Sequence, residues 1–265
     1  MFRFKQFSVP NTNAAFKVGT DAVLLGAAVS LTGSERRILD AGTGSGIIAL
    51  MVAQRLFDSG VRDFRVDGVD VSAAAAALAA DAFEASPWSA NLRAHHLPLA
   101  DAAGLLADTA GLPAADAAKF DLIVSNPPYF ENSLPAPDPA RCAARHVTEE
   151  GLNWKTLLDF AALNLAPQGR LAMILPAPAA EQAMQWAEKA SAQIKTSRKI
   201  LIKTGAAKPP TRIILEFQRL PEANGNEVPG TMEDSPRPVV EELVIQENGR
   251  YTQAYKALTR PFHPE

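Results

Sequence analysis

Short apolar runs alternate with longer segments in which apolar residues recur at helical spacing, from Arg37 to Phe217. The short runs are rich in β-branched residues and predict strands at 37–41, 64–71, 91–97, 119–126, 169–177, 196–204 and 211–217. The longer segments predict helices at 47–57, 72–86, 153–165 and 179–191, the second of them capped by Ser72. Strands that alternate with helices of this length favour an α/β fold with a mainly parallel sheet.

Two segments depart from this alternation. Proline-rich residues at 134–141 predict an irregular loop, and the mixture of Pro, Gly, Asn and acidic residues at 221–238 predicts a long, flexible, exposed one. We expect a single domain over 1–265, with an N-terminal extension at 1–36, a core at 37–219 and a C-terminal strand and helix within 239–265.

A glycine-rich turn, DAGTGSG at 40–46, lies between the first predicted strand and the first predicted helix of the core. Glycines at 42, 44 and 46 let the main chain turn sharply and let a ligand lie against it at a helix N-terminus. The second predicted strand ends at Asp70, where a carboxylate can accept hydrogen bonds from the two hydroxyls of a ribose. Together these features predict a cofactor that contains adenosine.

The spacing of the glycines distinguishes between cofactors. A dinucleotide turn has the pattern G-x-G-x-x-G, whose third glycine would fall at Ile47, whereas this turn reads G-x-G-x-G. Asp40, directly before the turn, would repel a pyrophosphate and attract a cationic amino group such as that of S-adenosylmethionine. A nicotinamide-dependent oxidoreductase remains an alternative that only the glycine turn and Asp70 support.

The sequence SNPPYF at 125–130 follows the buried-looking run FDLIV. Each proline disfavours the helical conformation of the residue before it, so Asn126 and Pro127 are expected to be extended. The Asn126 side-chain oxygen and the Pro127 carbonyl are acceptors that can bind both N–H groups of a conjugated amino nitrogen. Tyr129 offers a ring on which a flat substrate can stack, and Phe130 either adds to it or fills the core. In an arbitrary protein, a simple turn that closes a strand would be the better interpretation.

Charge is unevenly distributed along the chain. The net charge of −3 argues against general coating of nucleic acid, so a nucleic-acid partner would need a local basic patch. Residues 189–215 contain seven basic side chains and no acidic one. Candidate substrate contacts are Arg145, Lys199, Lys203 and Arg212. An ordinary solvated surface is the alternative for each of them.

Several classes of protein are disfavoured. Cys142 is the single cysteine, which excludes an intrachain disulfide framework and a cysteine-rich metal site. His95 and His96 are adjacent in a predicted strand and point to opposite faces, so they cannot share one metal ion. No apolar run approaches the length of a membrane span, and the N-terminus has no secretory signal pattern. We expect a cytoplasmic, monomeric protein without metal.

Several motifs together resemble those of one protein family. FRFKQFSV, FKVGTDAVLLGA, LDAGTGSGIIALMVAQR, FDLIVSNPPYF, AARH and YTQAYKALTRPF occur in this order. They resemble the bacterial tRNA-valine adenine N6-methyltransferases, which belong to the class I S-adenosylmethionine-dependent methyltransferases. The resemblance implies a Rossmann-like fold with a seven-stranded, mainly parallel sheet, an antiparallel last strand and helices on both faces. It also implies methylation of adenine 37, next to the anticodon of a valine tRNA.

The resemblance also implies site residues. The upstream motif belongs to the N-terminal extension, which is expected on the substrate and cofactor side. The resemblance implies that this motif lies beside the methionine end of the cofactor. Its residues are Lys17, Gly19, Thr20 and Asp21. Further cofactor contacts are implied for Asp40, Gly42, Gly44, Gly46, Asp70 and Asn126, and contacts to the substrate base for Asn126, Pro127, Pro128 and Tyr129. In one departure, Leu97 and Pro98 occupy the place where the family carries an acid that faces the cofactor adenine.

SNPPYF alone does not distinguish between nitrogen acceptors. Guanine N2 in ribosomal RNA, adenine in DNA and a protein glutamine would each present a similar nitrogen to Asn126. The basic segments favour nucleic acid over protein, and the lack of an added DNA-reading domain favours an RNA loop with a splayed base. A module that binds RNA without catalysis would be favoured by an altered SNPPYF or a broken glycine turn, and neither occurs.

Overall fold

The computed structural model describes residues 1–10, 18–106, 119–128, 151–190, 194–220 and 237–263. Five residues singled out from the sequence lie outside these ranges: Lys17, Tyr129, Phe130, Arg145 and Cys142. The predicted loop at 134–141 and most of the one at 221–238 also lie outside them.

The described elements follow the alternation expected from the sequence. The strands are β1 (Phe2–Arg3), β2 (Ser8–Val9), β3 (Arg37–Ala41), β4 (Arg65–Asp70), β5 (Leu92–His96), β6 (Phe120–Ser125), β7 (Leu165–Pro176), β8 (Ile194–Gly205), β9 (Arg212–Arg219), β10 (Val239–Glu247) and β11 (Arg250–Tyr251). The α-helices are α1 (Thr20–Ala28), α2 (Ile47–Asp58), α3 (Ala73–Glu84), α4 (Trp154–Asn164), α5 (Ala177–Ala190) and α6 (Gln253–Thr259). A 3₁₀ helix covers Leu99–Leu106.

The main sheet is mostly parallel, and this confirms the predicted α/β class. Its strand order is β11-β10-β8-β9-β7-β6-β3-β4-β5, with β9 antiparallel to both of its neighbours. The described sheet has nine strands, whereas seven were expected. The additional strands are β10, which pairs in parallel with β8, and the short β11, which forms a hairpin with β10. They cover the otherwise open edge of β8, which would present unpaired main-chain groups.

Helices pack on both faces of the sheet, as predicted. One apolar cluster joins α1, α2, α3 and α6 to strand residues such as Ile38 and Val66, and the other joins α4 and α5 to residues such as Leu39 and Val69. Neighbouring residues of a strand point to opposite faces, so strands covered on both sides are apolar at nearly every position. This burial on both faces explains the near-continuous apolar runs in the sequence.

Side-chain caps fix where several helices begin. Ser72 Oγ accepts a hydrogen bond from the Ala75 amide at 3.3 Å, and this confirms the predicted cap of α3. Asn153 Oδ1 accepts from the Thr156 amide at 3.0 Å, while the Thr156 hydroxyl accepts from the Asn153 amide at 3.0 Å. Such reciprocal caps satisfy amides that the first helical turn leaves unpaired. They therefore hold the start of α4 in a defined position.

One buried helix was not expected from the sequence. The extension at 1–36 contains α1, in which seven of nine residues are buried. Its sequence, TDAVLLGAA, is apolar around most of its circumference, so it has no helical period that a pattern could reveal. Within the described ranges, no helix is both long and apolar enough to cross a membrane.

Candidate active site

The carboxyl ends of three strands meet at one edge of the sheet. Ala41 of β3 is in register with Val69 of β4 on one side and with Ser125 of β6 on the other. The loops that begin at Gly42, Asp70 and Asn126 therefore start side by side. The chain leaves β3 toward β4, while β6 lies on the opposite side of β3, so this is the topological switch point where open α/β sheets bind ligands.

The three glycines of the turn have different roles. All three have positive φ angles, of 70°, 56° and 78° at Gly42, Gly44 and Gly46. A Cβ atom on Gly42 would lie 2.4 Å from Leu152 Cδ2, and one on Gly46 would lie 2.5 Å from Phe83 Cε1. A Cβ on Gly44 would meet nothing within 4 Å among the described atoms. The outer glycines thus allow close packing, and Gly44 presents bare main chain to open space where a ligand can approach.

Asp70 lies across the tip of this turn. One of its carboxylate oxygens accepts a hydrogen bond from the Gly44 amide at 3.0 Å, and the other accepts from the Ser72 amide at 2.8 Å. These bonds fix the orientation of a carboxylate that is only partly buried. Each oxygen retains a further lone pair, so the carboxylate can still accept hydrogen bonds from two hydroxyl groups of a ligand.

Asp40 lies beneath the turn and is fully buried. Its Oδ2 accepts hydrogen bonds from the Thr43 hydroxyl at 2.8 Å and the Ala49 amide at 3.2 Å. Its Oδ1 is also buried and has no hydrogen-bond partner within the described part of the chain. Burial, with a smaller contribution from the charge of Asp70, raises the pKa of Asp40 to about 7. This carboxyl braces the turn and keeps one acceptor oxygen without a protein donor.

The donors and acceptors of the turn fit a cofactor with a ribose and a cationic group. The partnerless Oδ1 of Asp40 supplies negative potential, Gly44 leaves room against the main chain, and Asp70 holds an oriented carboxylate. A pyrophosphate would meet two carboxyl groups here. The residues therefore fit S-adenosylmethionine better than a dinucleotide.

The end of β6 is tied to the end of β3. The buried Ser125 hydroxyl donates a hydrogen bond to the Ala41 carbonyl at 2.7 Å. Asn126 follows directly and is half-buried, Pro127 is buried and Pro128 is exposed. The amide that the sequence singled out therefore lies at the same sheet edge as the glycine turn, on a main chain held by hydrogen bonds and proline rings.

The upstream motif begins α1 at this edge. Gly19 is the N-cap, in an extended conformation, and Thr20 and Asp21 form the first turn. Asp21 Oδ2 accepts a hydrogen bond from Arg212 Nε at 2.8 Å, and Arg212 is in register with Pro176 at the end of β7. The structure thus pairs a residue implied for the cofactor with one predicted for the substrate.

The basic segment is partly neutralised, because three of its seven basic residues pair with acids from neighbouring elements. Lys203 Nζ lies 2.7 Å from Glu242 Oε2, and Arg198 lies within 2.7 Å of both Glu216 and Glu241. Parallel and antiparallel pairing brings these acids beside a stretch that contains none of its own. The linear charge pattern therefore overstates the positive potential of this surface.

The remaining described basic residue predicted to contact the substrate is level with the end of β6. Lys199 is half-buried in β8, four residues before Lys203, or about 13 Å along the strand. It has no acidic partner in the part of the chain that the structure describes. Through Leu215 and Met173, Lys199 is in register with Ser125, three strands away, whereas Lys203 and Arg212 lie at the carboxyl ends of β8 and β7, beyond the level of Ser125.

The two histidines make different contacts. His95 Nε2 lies 2.7 Å from Asp67 Oδ1, and Asp67 also pairs with Arg65 at 2.8 Å. His96 Nε2 lies 3.1 Å from the Val71 carbonyl oxygen. Within the described ranges, no group of three potential metal ligands is present.

Some site residues have no signal in the sequence. Thr43 carries the hydroxyl that Asp40 binds, and a Cβ on Gly68 of β4 would lie 2.8 Å from that hydroxyl. Leu152 packs so closely on Gly42 that any side chain there would collide with it. Contacts between positions far apart in the chain create these roles, so no local motif marks them.

Comparison with known proteins agrees with this geometry. The model of the family described as "Methyltransferase small domain" matches residues 13–202. The tRNA1(Val) (adenine(37)-N6)-methyltransferase of Dickeya chrysanthemi (strain Ech1591) is 37% identical over 99% of this chain and 93% of that protein. The protein of the same name from Porphyromonas gingivalis (strain ATCC BAA-308 / W83) is 36% identical over 99% of this chain and 94% of its own length.

Solved structures share the fold at low sequence identity. A predicted O-methyltransferase of Agrobacterium tumefaciens aligns with a TM-score of 0.58 and 16% identity, over 91% of this chain and 96% of that one. A putative class I S-adenosylmethionine-dependent methyltransferase of Listeria monocytogenes aligns with a TM-score of 0.51 and 15% identity, over 91% of this chain and 66% of that one. These likenesses support the fold that the strand order describes.

Proposed function

The chain belongs to the methyltransferase small-domain family and to that of the tRNA1(Val) (adenine(37)-N6)-methyltransferases, and from this premise we propose its reaction. It transfers a methyl group from S-adenosylmethionine to the N6 amino group of adenine 37 in the anticodon loop of a valine tRNA. The observation that carries the proposal is the register of Ala41 with Ser125, which sets Asn126 beside the glycine turn.

In this proposal the residues of the turn bind and orient the cofactor. Asp70 accepts hydrogen bonds from the ribose hydroxyls, and the main chain at Gly44 allows close approach. The buried Asp40 attracts the cationic amino group by its field, because its carboxyl lies behind the turn. Gly19, Thr20 and Asp21 at the start of α1 are the proposed contacts at the methionine end, with Lys17 before them. S-adenosylmethionine, when bound, supplies an electrophilic methyl group.

Asn126 and Pro127 activate the nitrogen that receives the methyl group. The lone pair of the adenine amino nitrogen is delocalised into the ring, which makes this nitrogen a poor nucleophile. If its two N–H groups donate to the Asn126 side-chain oxygen and the Pro127 carbonyl, the nitrogen moves toward tetrahedral geometry and its lone pair is freed. Orientation and hydrogen bonding then supply the acceleration, and no strong general base is needed, because the nitrogen becomes cationic as it takes the methyl group and then releases one proton to solvent; S-adenosylhomocysteine would be the other product.

The other substrate contacts remain proposals of the same kind. Tyr129 stacks on the adenine, supported by Pro128 and Phe130, while Arg145, Lys199, Lys203 and Arg212 are assigned to the RNA backbone. The ion pairs of Lys203 and Arg212 support only a modest contribution from these two residues. We further propose that the protein acts in the cytoplasm, as a monomer, without metal.

Methyl transfer from labelled S-adenosylmethionine tests the proposal. Unmodified valine tRNA is expected to accept label, and a DNA oligomer hybridised across the anticodon loop is expected to block it. Ribosomal RNA, a DNA duplex and a release factor with its glutamine serve as competing acceptors. Transfer to one of these instead of tRNA would defeat the assignment of substrate while leaving the methyl donor in place.

Calorimetry tests the cofactor independently of the substrate. S-adenosylhomocysteine, the product of the donor, is expected to bind to the protein alone, and NAD is not. Binding of NAD without binding of S-adenosylhomocysteine would overturn the proposed reaction class.

A further inference from the structure

A cavity lies at the same edge of the sheet, at the carboxyl ends of β8 and β10. Its volume is about 390 Å³, and α1 and α6 border it. Residues from six elements line it, among them Asp21, Thr204, Arg212, Gln246, Tyr251 and Tyr255. Thr20 and Asp21, proposed above as contacts of the methyl donor, and Arg212 also line it, whereas none of the roles proposed above uses the two tyrosines.

Strand register places this cavity beyond the level of the candidate active site, in the direction in which β6, β7, β8 and β10 run. Arg212 of β9 is in register with Pro176 at the end of β7 and with Ile202 near the end of β8, and Gln246 of β10 is in register with Gly205. Lys199 is in register with Ser125 through Leu215 and Met173, so Gly205 lies six residues, or about 20 Å, beyond the end of β6 along the strands. Since β10 is four strands from β6, or about 19 Å across the sheet, the two places are roughly 28 Å apart. One extended ligand can therefore reach both.

Tyr251 and Tyr255 form a stacked pair that walls the cavity. Their ring centroids are 4.8 Å apart, and the ring planes differ by 20°. Tyr255 is 9% exposed and belongs to the core, whereas Tyr251 is 51% exposed. One ring is thus anchored in the protein, and the other offers a flat surface to solvent.

The main chain around the pair is firmly held. The Thr252 hydroxyl donates a hydrogen bond to the Val244 carbonyl at 2.6 Å and accepts one from the Tyr255 amide at 3.1 Å. The Thr252 amide donates to the Ile245 carbonyl at 3.0 Å. Tyr251 therefore has little backbone freedom to lose when a ligand stacks on it.

The polar groups of the cavity suit the edge of a base. Thr204, Thr211 and Gln246 line it with hydroxyl and amide groups that both donate and accept hydrogen bonds. The exposed Arg250 and Lys256 flank Tyr251, but Glu247 lies opposite Arg250 in the hairpin, so the surface is only mildly positive. A surface of this kind favours a stacked base over a cluster of phosphates.

We propose that Tyr251 stacks on a second unpaired base of the RNA substrate, a base other than the adenine that receives the methyl group. The inference rests on the proposed function and deepens it by assigning a second contact to the same RNA loop. Bases of single-stranded RNA loops can be splayed out and stacked on aromatic side chains, whereas the bases of a duplex cannot. Two base contacts roughly 28 Å apart would set the register of the loop, so that one particular adenine reaches Asn126.

Substitutions at Tyr251 test the stacking. Tyr251→Ala is expected to raise the Kd for unmodified valine tRNA, measured by fluorescence anisotropy, about ten-fold, with KM raised similarly. Because Phe keeps the ring, Tyr251→Phe should bind tRNA with nearly wild-type affinity. Turnover at saturating tRNA and the calorimetric affinity for S-adenosylhomocysteine should stay at the wild-type level in both variants.

Trp186→Ala is the matched control for loss of an aromatic ring. Trp186 is 38% exposed and lies on α5, on the opposite face of the sheet from α6, so its removal is expected to leave tRNA affinity unchanged. Thermal melts of all variants establish that each is folded. Equal loss of affinity in Tyr251→Ala and Tyr251→Phe, or in Trp186→Ala, would overturn stacking at this position.

Photocrosslinking locates the contact directly. A valine anticodon stem-loop with 5-bromouridine at its unpaired uridines is irradiated with the wild-type protein and digested with trypsin. Cleavage after Arg250 and Lys256 releases the peptide YTQAYK, which is expected to carry the nucleotide. Crosslinks in other peptides only would overturn the inference.

The failures of the two proposals are distinguishable. A wild-type protein that methylates the tRNA, combined with a Tyr251→Ala variant that keeps the wild-type Kd, overturns the second base contact alone. A wild-type protein that transfers no methyl group to this tRNA defeats the proposed function and the inference with it.

Discussion

At the glycine turn, the carboxylates are buried or partly buried and accept hydrogen bonds from main-chain amides. Between β8 and β10, at the far end of the same edge, the charged side chains are more exposed and form ion pairs. Asp40 and Asp70 bind the amides of Ala49, Gly44 and Ser72. At the other end, Lys203 pairs with Glu242, whose side chain is 44% exposed.

This difference predicts how each region responds to its surroundings. Hydrogen bonds in a water-poor interior are strong and hardly screened, so the turn should tolerate salt and respond sharply to the loss of one atom. Exposed ion pairs contribute roughly 1 kcal/mol or less and weaken with salt. We therefore expect the chemical step to depend on the glycine turn and on Asn126. We expect the affinity for RNA to depend on the region between β8 and β10 and on ionic strength.

The largest effect is expected at Asn126. Asn126→Ala removes one of two acceptors for the amino nitrogen and should lower kcat about 100- to 1000-fold, in the range found when one polar group that stabilises a transition state is deleted. Single-turnover kinetics with labelled donor measure the loss, and calorimetry should give a nearly wild-type affinity for S-adenosylhomocysteine. Unchanged methylation would remove Asn126 from the mechanism.

The outer and central glycines of the turn should differ. Gly46→Ala forces a Cβ into the Phe83 ring at a φ of 78°, so we expect a loss of about 3 kcal/mol in the free energy of unfolding. Gly44→Ala adds only the strain of a positive φ, about 1 kcal/mol, because its Cβ meets no described atom within 4 Å.

Cofactor affinity should distinguish the two variants in the opposite way. Relative to the stability that each variant loses, Gly44→Ala should lose more cofactor affinity than Gly46→Ala. Gly44→Ala places a methyl group where the ligand should lie, so it should weaken binding of S-adenosylhomocysteine although the fold is nearly intact. Urea unfolding and calorimetry measure the two quantities. A Gly44→Ala variant with wild-type cofactor affinity would contradict the position assigned to the ligand.

The buried Asp40 should make stability depend on pH. Its pKa is about 7 in the folded protein, above the ordinary value of 3.8, so between these values the folded protein keeps a proton that the unfolded chain has released. The free energy of unfolding contributed by this group therefore falls as pH rises toward 7 and is constant above it. Relative to Asp40→Asn, which has no such ionisation, the wild type should lose about 2–3 kcal/mol between pH 5 and pH 8.

Urea titrations of both proteins at several pH values check this slope. Asn keeps an acceptor oxygen for Thr43 and Ala49, so the variant retains the hydrogen bonds of the turn. If the difference in free energy of unfolding between the wild type and the variant does not change with pH, Asp40 is ionised throughout the range. Calorimetry adds a second readout, because affinity for S-adenosylhomocysteine should rise with pH as Asp40 ionises in the wild type and lack this rise in the variant.

The smallest effect is expected at the exposed ion pairs. Glu242→Gln releases the ammonium group of Lys203 and should change stability by less than about 1 kcal/mol. If Lys203 faces the RNA, the affinity for tRNA should increase slightly at low salt. The slope of the logarithm of the binding constant against the logarithm of the salt concentration should then steepen by about one. Titrations at several salt concentrations measure this, and identical slopes in both proteins would remove Lys203 from the RNA contact.

The parts of the fold predicted from the sequence are those with a local pattern. Strands buried on both faces and helices with one apolar face carry that pattern within their own residues, and so do the Ser72 cap and the glycine turn. Helix α1 was missed because it is apolar around most of its circumference. The additional strands β10 and β11 exceed the expected seven because sheet membership depends on pairing partners, which a single segment does not reveal.

The site divides in the same way. Gly42, Gly44, Gly46, Asp70 and Asn126 could be singled out because each belongs to a short motif next to a strand. The packing and hydrogen bonds that Thr43, Gly68 and Leu152 supply could not be predicted in this way, because they come from other parts of the chain. The same holds for the acids that pair with Arg198 and Lys203.

Mapping of the methylated nucleotide tests the central claim most directly. Unmodified valine tRNA is incubated with the protein and S-adenosylmethionine, digested with nuclease and analysed by mass spectrometry, with Asn126→Ala in parallel. We expect N6-methyladenine at position 37 with the wild-type protein and its near absence with the variant. A methyl group on another nucleotide, or equal methylation by both proteins, would contradict the assignment of Asn126 and the glycine turn to one site for this adenine.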